Sequence, residues 1–163
     1  MIDKRVDDLQ AALAGIGPGA SIMISGFGNA GIPGNLLHGL SGMGLSGLTM
    51  ILNAIRRLEE SNPVFFAEGQ IAHVITTAFR GPGQAPAAFE RQWQDGKLTF
   101  EIVPQGTFAE RIRAGGAGVP AFYTPTAAGT PLAEGREQRD FNDQTCVLET
   151  ALTADVALLR AEK

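Results

Sequence analysis

Apolar positions in this chain fall into two patterns, helical spacing and short near-continuous runs, with glycine and proline at the change-overs. Val6, Leu9, Leu13 and Ile16 share one helical face, which predicts an opening helix with Asp3 as N-cap, stopped by Gly15, Gly17 and Pro18. Ile22-Met23-Ile24 reads as a short buried strand, and Leu36, Leu37 and Leu40 mark a helix with Pro33 in its first turn. Leu48 to Leu52 predicts the next strand. Residues 54–63 read as a short solvated helix, with Arg56, Arg57, Glu59 and Glu60 around Ile55 and Leu58, ended by Pro63. Ile71 to Thr77 predicts a buried strand, Gly81-Pro82-Gly83 a turn, and Pro86 to Trp93 a helix whose Phe89 and Trp93 pack in the core. Leu98 to Val103 alternates as a strand, and a helix follows from Thr107 to Ala114, stopped by Gly115-Gly116. Val119 to Tyr123, Cys146 to Leu148 and Val156 to Leu159 are three more strand-like runs between polar loops. Strands alternating with short helices predict an α/β fold: one domain over residues 1–163, with a mainly parallel sheet and helices on both faces.

Composition narrows the function. The 163 residues are 44% hydrophobic and carry a formal charge of −4, which argues against a nucleic-acid surface or a polybasic membrane patch. Cys146 stands alone, so a disulfide framework is excluded, and no clustered Cys/His pattern offers a metal site. No apolar run approaches the roughly 20 residues of a membrane span. The polar N-terminus has no apolar signal core, which predicts a cytoplasmic protein.

The candidate chemistry begins at Gly26-x-Gly28-x-x-Gly31, between a strand and a helix. Its glycines let backbone approach an anion at a helix N-terminus, as in a nicotinamide dinucleotide fingerprint. That fingerprint also needs an acid about twenty residues on. Positions 48–52 read Leu-Thr-Met-Ile-Leu, so this alternative ranks behind the others, beside a turn whose glycines serve only packing.

A different pattern covers more of the chain. The stretch Gly19 to Pro33, with Ile22-Met23-Ile24, Gly26, Phe27, Gly31 and Pro33, resembles the A-subunit signature of the family I, or 3-oxoacid, CoA-transferases. Ser25 stands where that signature has its first glycine, and Pro18 where it has Asp or Asn. A second block, Val103-Pro104-Gln105-Gly106-Thr107-Phe108-Ala109-Glu110-Arg111-Ile112-Arg113-Ala114 and on through Gly115 to Thr126, is similar to the same subunit nearly residue for residue. Weaker similarity runs through Phe89 to Gln92, Gly129-Thr130, Leu132 to Glu134, Val147 to Glu149 and Ala154 to Ala161.

The resemblance implies a ping-pong CoA transfer from an acyl-CoA such as succinyl-CoA to a 3-oxo acid or short-chain fatty acid. CoA is carried on a glutamate in between, so the coenzyme A thioester is a substrate and no cofactor is permanently bound. In that family the glutamate lies in a Ser-Glu-Asn-Gly-like turn of a B subunit. No such turn occurs here, and Glu68 and Glu134 read as loop acids. The implied partners are therefore a B subunit in a hetero-oligomer and small-molecule acyl-CoA and carboxylate. This chain is expected to be inactive alone.

The resemblance makes Gln105 the catalytic residue, an uncharged amide able to donate to a carbonyl or thioester oxygen; read locally, Gln105 orders the turn before a helix. For substrate or CoA binding it points to Gly26, Phe27, Gly28, Gly31, Asn53, Gly106, Thr107, Thr126 and Gly129. Arg111 and Arg113 are candidates for a CoA phosphate or substrate carboxylate, or for ion pairing with Glu110. His38 and His73 read as structural, and Cys146 as a core thiol.

Three departures from the pattern bear on function. The family's Asn-Asn-Ala-Gly turn corresponds to Asn53-Ala54-Ile55-Arg56-Arg57, where only Asn53 survives. Its Thr-Gly-Tyr-Gly-Thr run corresponds to Thr126-Ala127-Ala128-Gly129-Thr130, without the aromatic. The fold is expected to be shortened at the C-terminus, since the family continues past the position of Lys163, and either a partner then covers the exposed edge or the geometry there is rebuilt. These departures leave a second function class open: a diverged, non-catalytic CoA-binding module or assembly partner.

Overall fold

A computed structural model describes residues 3–28, 30–80 and 85–162. The chain forms two compact units, Met1–Glu101 with Ala154–Lys163, and Ile102–Thr153.

The first unit opens with α1 (Leu9–Leu13), whose N-cap is Asp8, not Asp3. A cap must directly precede the first turn, and the Asp8 carboxylate there accepts from the Ala11 N–H at 2.7 Å. Asp3 instead holds the backbone and guanidinium of Arg5. The predicted face shortens accordingly: Leu13 and Ile16 are buried, while Val6, outside the helix, is 56% exposed.

Then come β1 (Ser21–Ile24), α2 (Gly34–Ser41, directly after Pro33), β2 (Leu48–Ala54), α3 (Ile55–Ser61), α4 (Val64–Ala67), β3 (Ile71–Ala78), α5 (Ala88–Gln94) and β4 (Thr99–Ile102). The segment expected as a solvated helix is α3, yet it buries Ile55 and Leu58 against the core. Its Glu59 reaches across to α5, accepting from the N–H groups of Ala88 at 2.8 Å and Phe89 at 3.2 Å. These donors have no partner within their own helix, so the carboxylate there satisfies them and opposes the positive helix end. The Gly81-Pro82-Gly83 turn lies outside the described residues.

The strands form one five-stranded sheet in the order β4-β3-β2-β1-β8, where β8 (Val156–Leu158) returns from the chain's end. β1 pairs in parallel with both β2 and β8, and β2 in parallel with β3. Fully buried Ile22, Leu37, Leu40, Met50, Ile55, Phe65, Val74 and Phe89 make the core between sheet and helices. Each such side chain contributes about 1.5–3 kcal/mol by leaving water. Trp93 departs from expectation: it is 49% exposed, with one edge on Phe79 and Phe100.

The second unit holds α6 (Gln105–Ala117), β5 (Ala121–Thr124), a 3₁₀ turn at Pro131–Ala133, β6 (Gln138–Phe141) and β7 (Gln144–Thr150). The helix is longer than predicted at both ends. Gly115 and Gly116 do not stop it, because a helical glycine costs only about 1 kcal/mol relative to alanine. The stop is Gly118, at φ 71°, a left-handed conformation that lets the Val119 N–H reach back to the Ala114 carbonyl at 2.9 Å. The strands here are antiparallel, in the order β5-β7-β6. β6 escapes prediction because all four of its residues are exposed, which leaves it no apolar pattern. Its signal is the turn, since Asn142 and Asp143 both take positive φ, as a two-residue hairpin loop requires.

Candidate functional site

In a parallel sheet, ligand-binding groups gather beyond the carboxyl ends of the strands. In the first unit those ends carry Ser25-Gly26 (β1), Asn53-Ala54 (β2), Thr76-Thr77 (β3) and Leu158 to Arg160 (β8).

Gly26 sits at φ 123°, and a Cβ there would lie 2.7 Å from Cγ1 of Ile32 and 3.1 Å from the Ala30 carbonyl oxygen. Only glycine fits that combination. Phe27 and Ala30 exchange backbone hydrogen bonds at 3.0 and 3.1 Å, so the loop doubles back on itself. Two side chains hold it. The Asn53 amide donates to the Gly26 carbonyl at 2.9 Å. The Ser25 hydroxyl donates to the Gly31 carbonyl at 2.6 Å and accepts from the Arg160 N–H at 3.1 Å. Phe27 is left 66% exposed. Behind the loop, Gly26, Gly28, Asn53 and Arg57 line a cleft of about 30 Å³, the space of one or two waters.

Of the sequence-predicted residues in this unit, Gly26, Gly28 and Asn53 therefore share one cleft wall, Gly31 is fixed through Ser25, and Phe27 faces solvent. β2 ends in Asn53-Ala54, with no carboxylate where a dinucleotide ribose would need one. Sequence reasoning misses Ser25, Thr76 and Thr77 as site residues. The two threonine hydroxyls donate to the Asn53 carbonyl at 3.0 and 2.9 Å. The available signal for Ser25 is its place in the glycine motif; for the threonines there is none.

In the second unit Gln105 is exposed at the first position of α6, directly after Pro104. Gly106 beside it is exposed, and Thr107 is buried with an unpartnered hydroxyl. Backbone N–H groups of this first turn have no helical acceptor and make a locally positive surface. Thr126 and Gly129 lie in the turn after β5, where Ala127 and Gly129 both have φ 72°.

The arginines divide. Arg113 pairs with Glu110 at 2.6 Å, which lowers the Glu110 carboxyl pKa through that hydrogen bond. Arg111 is buried, donates to the Thr150 carbonyl at 2.9 Å and lies 3.8 Å from Glu149, so it is a structural anchor rather than a surface cation for phosphate. Glu149 also pairs with Arg136 at 2.5 Å. His38 is exposed, His73 Nδ1 meets the Thr99 hydroxyl at 2.7 Å, and Cys146 is buried. Glu68 and Glu134 are both exposed in loops. Among the described residues no helix is long and apolar enough to cross a membrane, and no three His, Cys, Asp or Glu side chains cluster as metal ligands.

Residues 6–163 match the family described as coenzyme A transferase. The chain belongs to that family. Within it, this coenzyme A transferase family member is 46% identical over 159 residues to the A subunit of the succinyl-CoA:3-ketoacid coenzyme A transferase of Xanthomonas campestris pv. campestris, covering 97% of this chain and 64% of that relative. It is 40% identical over 164 residues to the A subunit of the 3-oxoadipate CoA-transferase of Pseudomonas putida, covering all of this chain and 70% of that one. The chain thus spans about two thirds of the length of these relatives. Glutaconate coenzyme A-transferase from Acidaminococcus fermentans shares the fold, with a TM-score of 0.74 at 18% identity over 91% of this chain and 54% of that one. A variant of the decarboxylase AibA/AibB superimposes with a TM-score of 0.75 at 27% identity, over 95% of this chain and 61% of that one. The expected α/β fold with a mainly parallel sheet is therefore that of the coenzyme A transferases.

Proposed function

We propose that this chain is the A subunit of a cytoplasmic 3-oxoacid CoA-transferase, moving CoA from an acyl-CoA such as succinyl-CoA to a 3-oxo acid or short-chain fatty acid. The observation that carries the reading is Gln105, at the open first turn of α6 in a chain whose relatives are named as A subunits. The nucleophile is a glutamate of a B subunit. Its carboxylate attacks the thioester carbonyl and the CoA thiolate leaves, giving a mixed anhydride. The thiolate then attacks the glutamyl carbonyl, releasing the free acid and leaving CoA on the glutamate; the second acid reverses both steps.

Every step passes through a tetrahedral centre with a negative oxygen. The Gln105 amide donates to that oxygen without titrating, and the free N–H groups of Gln105, Gly106 and Thr107 add to its field. The Gly26–Gly31 loop presents backbone, with the exposed Phe27, to the acyl group or the pantetheine arm, and Asn53 holds its shape. No resident cofactor is required, since the CoA thioester is itself the substrate.

The test is CoA transfer from succinyl-CoA to acetoacetate and to 3-oxoadipate, with the chain alone and with a co-expressed glutamate-bearing B subunit. Transfer is expected only in the mixture, falling about 10²–10³-fold in Gln105→Ala, the size of losing one oxyanion donor. A stable complex without transfer would replace this reading with a non-catalytic CoA-binding or assembly role. The charged helix α3, standing where the family pattern has a glycine turn, is the observation favouring that second reading.

A further inference from the structure

Ser25 links two stretches of chain that meet only in the fold. It directly follows β1, and its backbone N–H donates to the Leu158 carbonyl at 3.0 Å, continuing the pairing of β1 with β8. Its hydroxyl has one proton to donate and lone pairs with which to accept. It donates to the Gly31 carbonyl at 2.6 Å and accepts from the Arg160 N–H at 3.1 Å. One oxygen therefore keeps the loop after β1 and the segment after β8 no more than two hydrogen bonds apart. A glycine here, the residue of the family signature, would retain the backbone bond and lose the other two.

The two linked segments line one cleft. Ala30 and Gly31 from the loop, with Arg160, Ala161 and Glu162 from the chain after β8, surround about 430 Å³. That is room for part of a substrate chain, which the cleft of about 30 Å³ behind the loop does not offer. The contact between the segments is already close: a Cβ on Gly31 would lie 3.5 Å from the Gly26 Cα and 3.9 Å from the Arg160 carbonyl oxygen. Asn53 holds the Gly26 carbonyl and Ser25 the Gly31 carbonyl, so both ends of the loop are fixed by side chains outside it. A loop fixed beforehand does not have to be ordered by its ligand, and that ordering cost is not subtracted from affinity.

We propose that Ser25 is a positioning residue: its hydroxyl sets the shape of the cleft between the glycine loop and Arg160–Glu162 before an acyl-CoA arrives, and so lowers KM rather than raising kcat. The hydroxyl acts through the Gly31 carbonyl and the Arg160 N–H, not by touching the reacting atoms. The inference deepens the CoA-transfer reading and rests on it.

Amide hydrogen exchange of the full chain, followed by NMR, reads the link itself. Ser25→Ala is expected to speed exchange of the Arg160 N–H about fivefold, the worth of one net hydrogen bond, and to leave the β1 amides as they are. Ser25→Thr, which keeps the hydroxyl, should hold the wild-type rate. Unchanged exchange at Arg160 in the alanine variant overturns the proposal. With the B subunit present, Ser25→Ala should raise KM for succinyl-CoA about fivefold and leave kcat within about twofold, with Ser25→Thr restoring KM. Arg160→Pro removes the same bond from its other side, because proline has no N–H, whereas Arg160→Ala keeps it. The proline variant should therefore show a KM about fivefold above that of the alanine one. A loss carried by kcat, or equal KM in the two Arg160 variants, also overturns the proposal. If the wild-type pair transfers no CoA, the CoA-transfer reading itself fails, and the exchange rates alone decide whether Ser25 sets the cleft.

Discussion

The side-chain amide of Asn53 donates to the carbonyl of Gly26 at 2.9 Å, joining the end of β2 to the loop that follows β1. The Asn53 carbonyl in turn accepts the hydroxyls of Thr76 and Thr77 from β3, so one residue stitches three adjacent strand ends together. Asn53→Ala should cost about 1 kcal/mol of stability, the net worth of one hydrogen bond, and lower kcat/KM for transfer with the B subunit. Asn53→Asp should be worse than alanine, because a carboxylate there would face a carbonyl oxygen. Urea denaturation beside transfer kinetics checks the order; an aspartate variant equal to wild type would deny the amide its donor role.

Gly26 and Gly28 separate two costs of a side chain. Both have positive φ, but a Cβ at Gly26 also meets Ile32, whereas at Gly28 it meets open space. Gly28→Ala is expected to cost about 1–2 kcal/mol, the left-handed penalty alone. Gly26→Ala should cost more, by roughly 1–3 kcal/mol of overpacking. Thermal unfolding of the two variants measures the difference directly.

Asp155 ties the approach of β8 to the start of β1. Its carboxylate accepts from the Ser21 hydroxyl at 2.7 Å and the Ser21 N–H at 2.8 Å. Chiefly through the Ser21 hydroxyl, and then the backbone, these bonds hold its pKa below the ordinary 3.8. A carboxyl depressed in the folded state stabilises fully above its unfolded pKa, and loses that contribution as pH falls through the folded value. The protein should therefore weaken below about pH 4, and Asp155→Asn should flatten this part of the stability–pH curve. Chemical denaturation from about pH 6 down to about pH 2.5 tests it, a parallel pair of curves counting against the idea.

Glu149 is 3% exposed between Arg111 and Arg136. Removing it breaks the ion pairs that this buried carboxylate makes with Arg111 and Arg136, so Glu149→Ala should destabilise by about 3–5 kcal/mol. Arg111→Met should cost less, because it keeps much of the packing and leaves Glu149 its pair with Arg136. Equal losses in equilibrium unfolding would show that packing, rather than charge, dominates there.

Most of the architecture was legible in the chain, because it is written in local spacing. β1, β2, β3, α2, α5 and β4 each follow from apolar runs or helical periodicity bounded by glycine and proline, signals that depend on near neighbours only. The glycine loop was legible for the same reason, since a positive φ at Gly26 is a demand that a few adjacent residues meet, whereas the Gln105 block stood out only by its resemblance to the CoA-transferases, with its helix read to start at Thr107 rather than Gln105.

Partner choice was settled elsewhere. Nothing near Arg111 announces Glu149, nothing near Asn53 announces Gly26, and the exposed β6 carries no apolar pattern at all. Asp3 and Asp8 are chemically equivalent caps until the helix start is known. Residue order along the chain set which segments become strands and helices, which family the chain resembles, and where its backbone must be glycine. It took the assembled fold to set which charges are buried together and which hydroxyls hold the loop. The physical reason is range: steric limits on φ and hydrophobic periodicity act between near neighbours, whereas ion pairs and side-chain hydrogen bonds join residues that only the completed fold brings within about 3 to 4 Å.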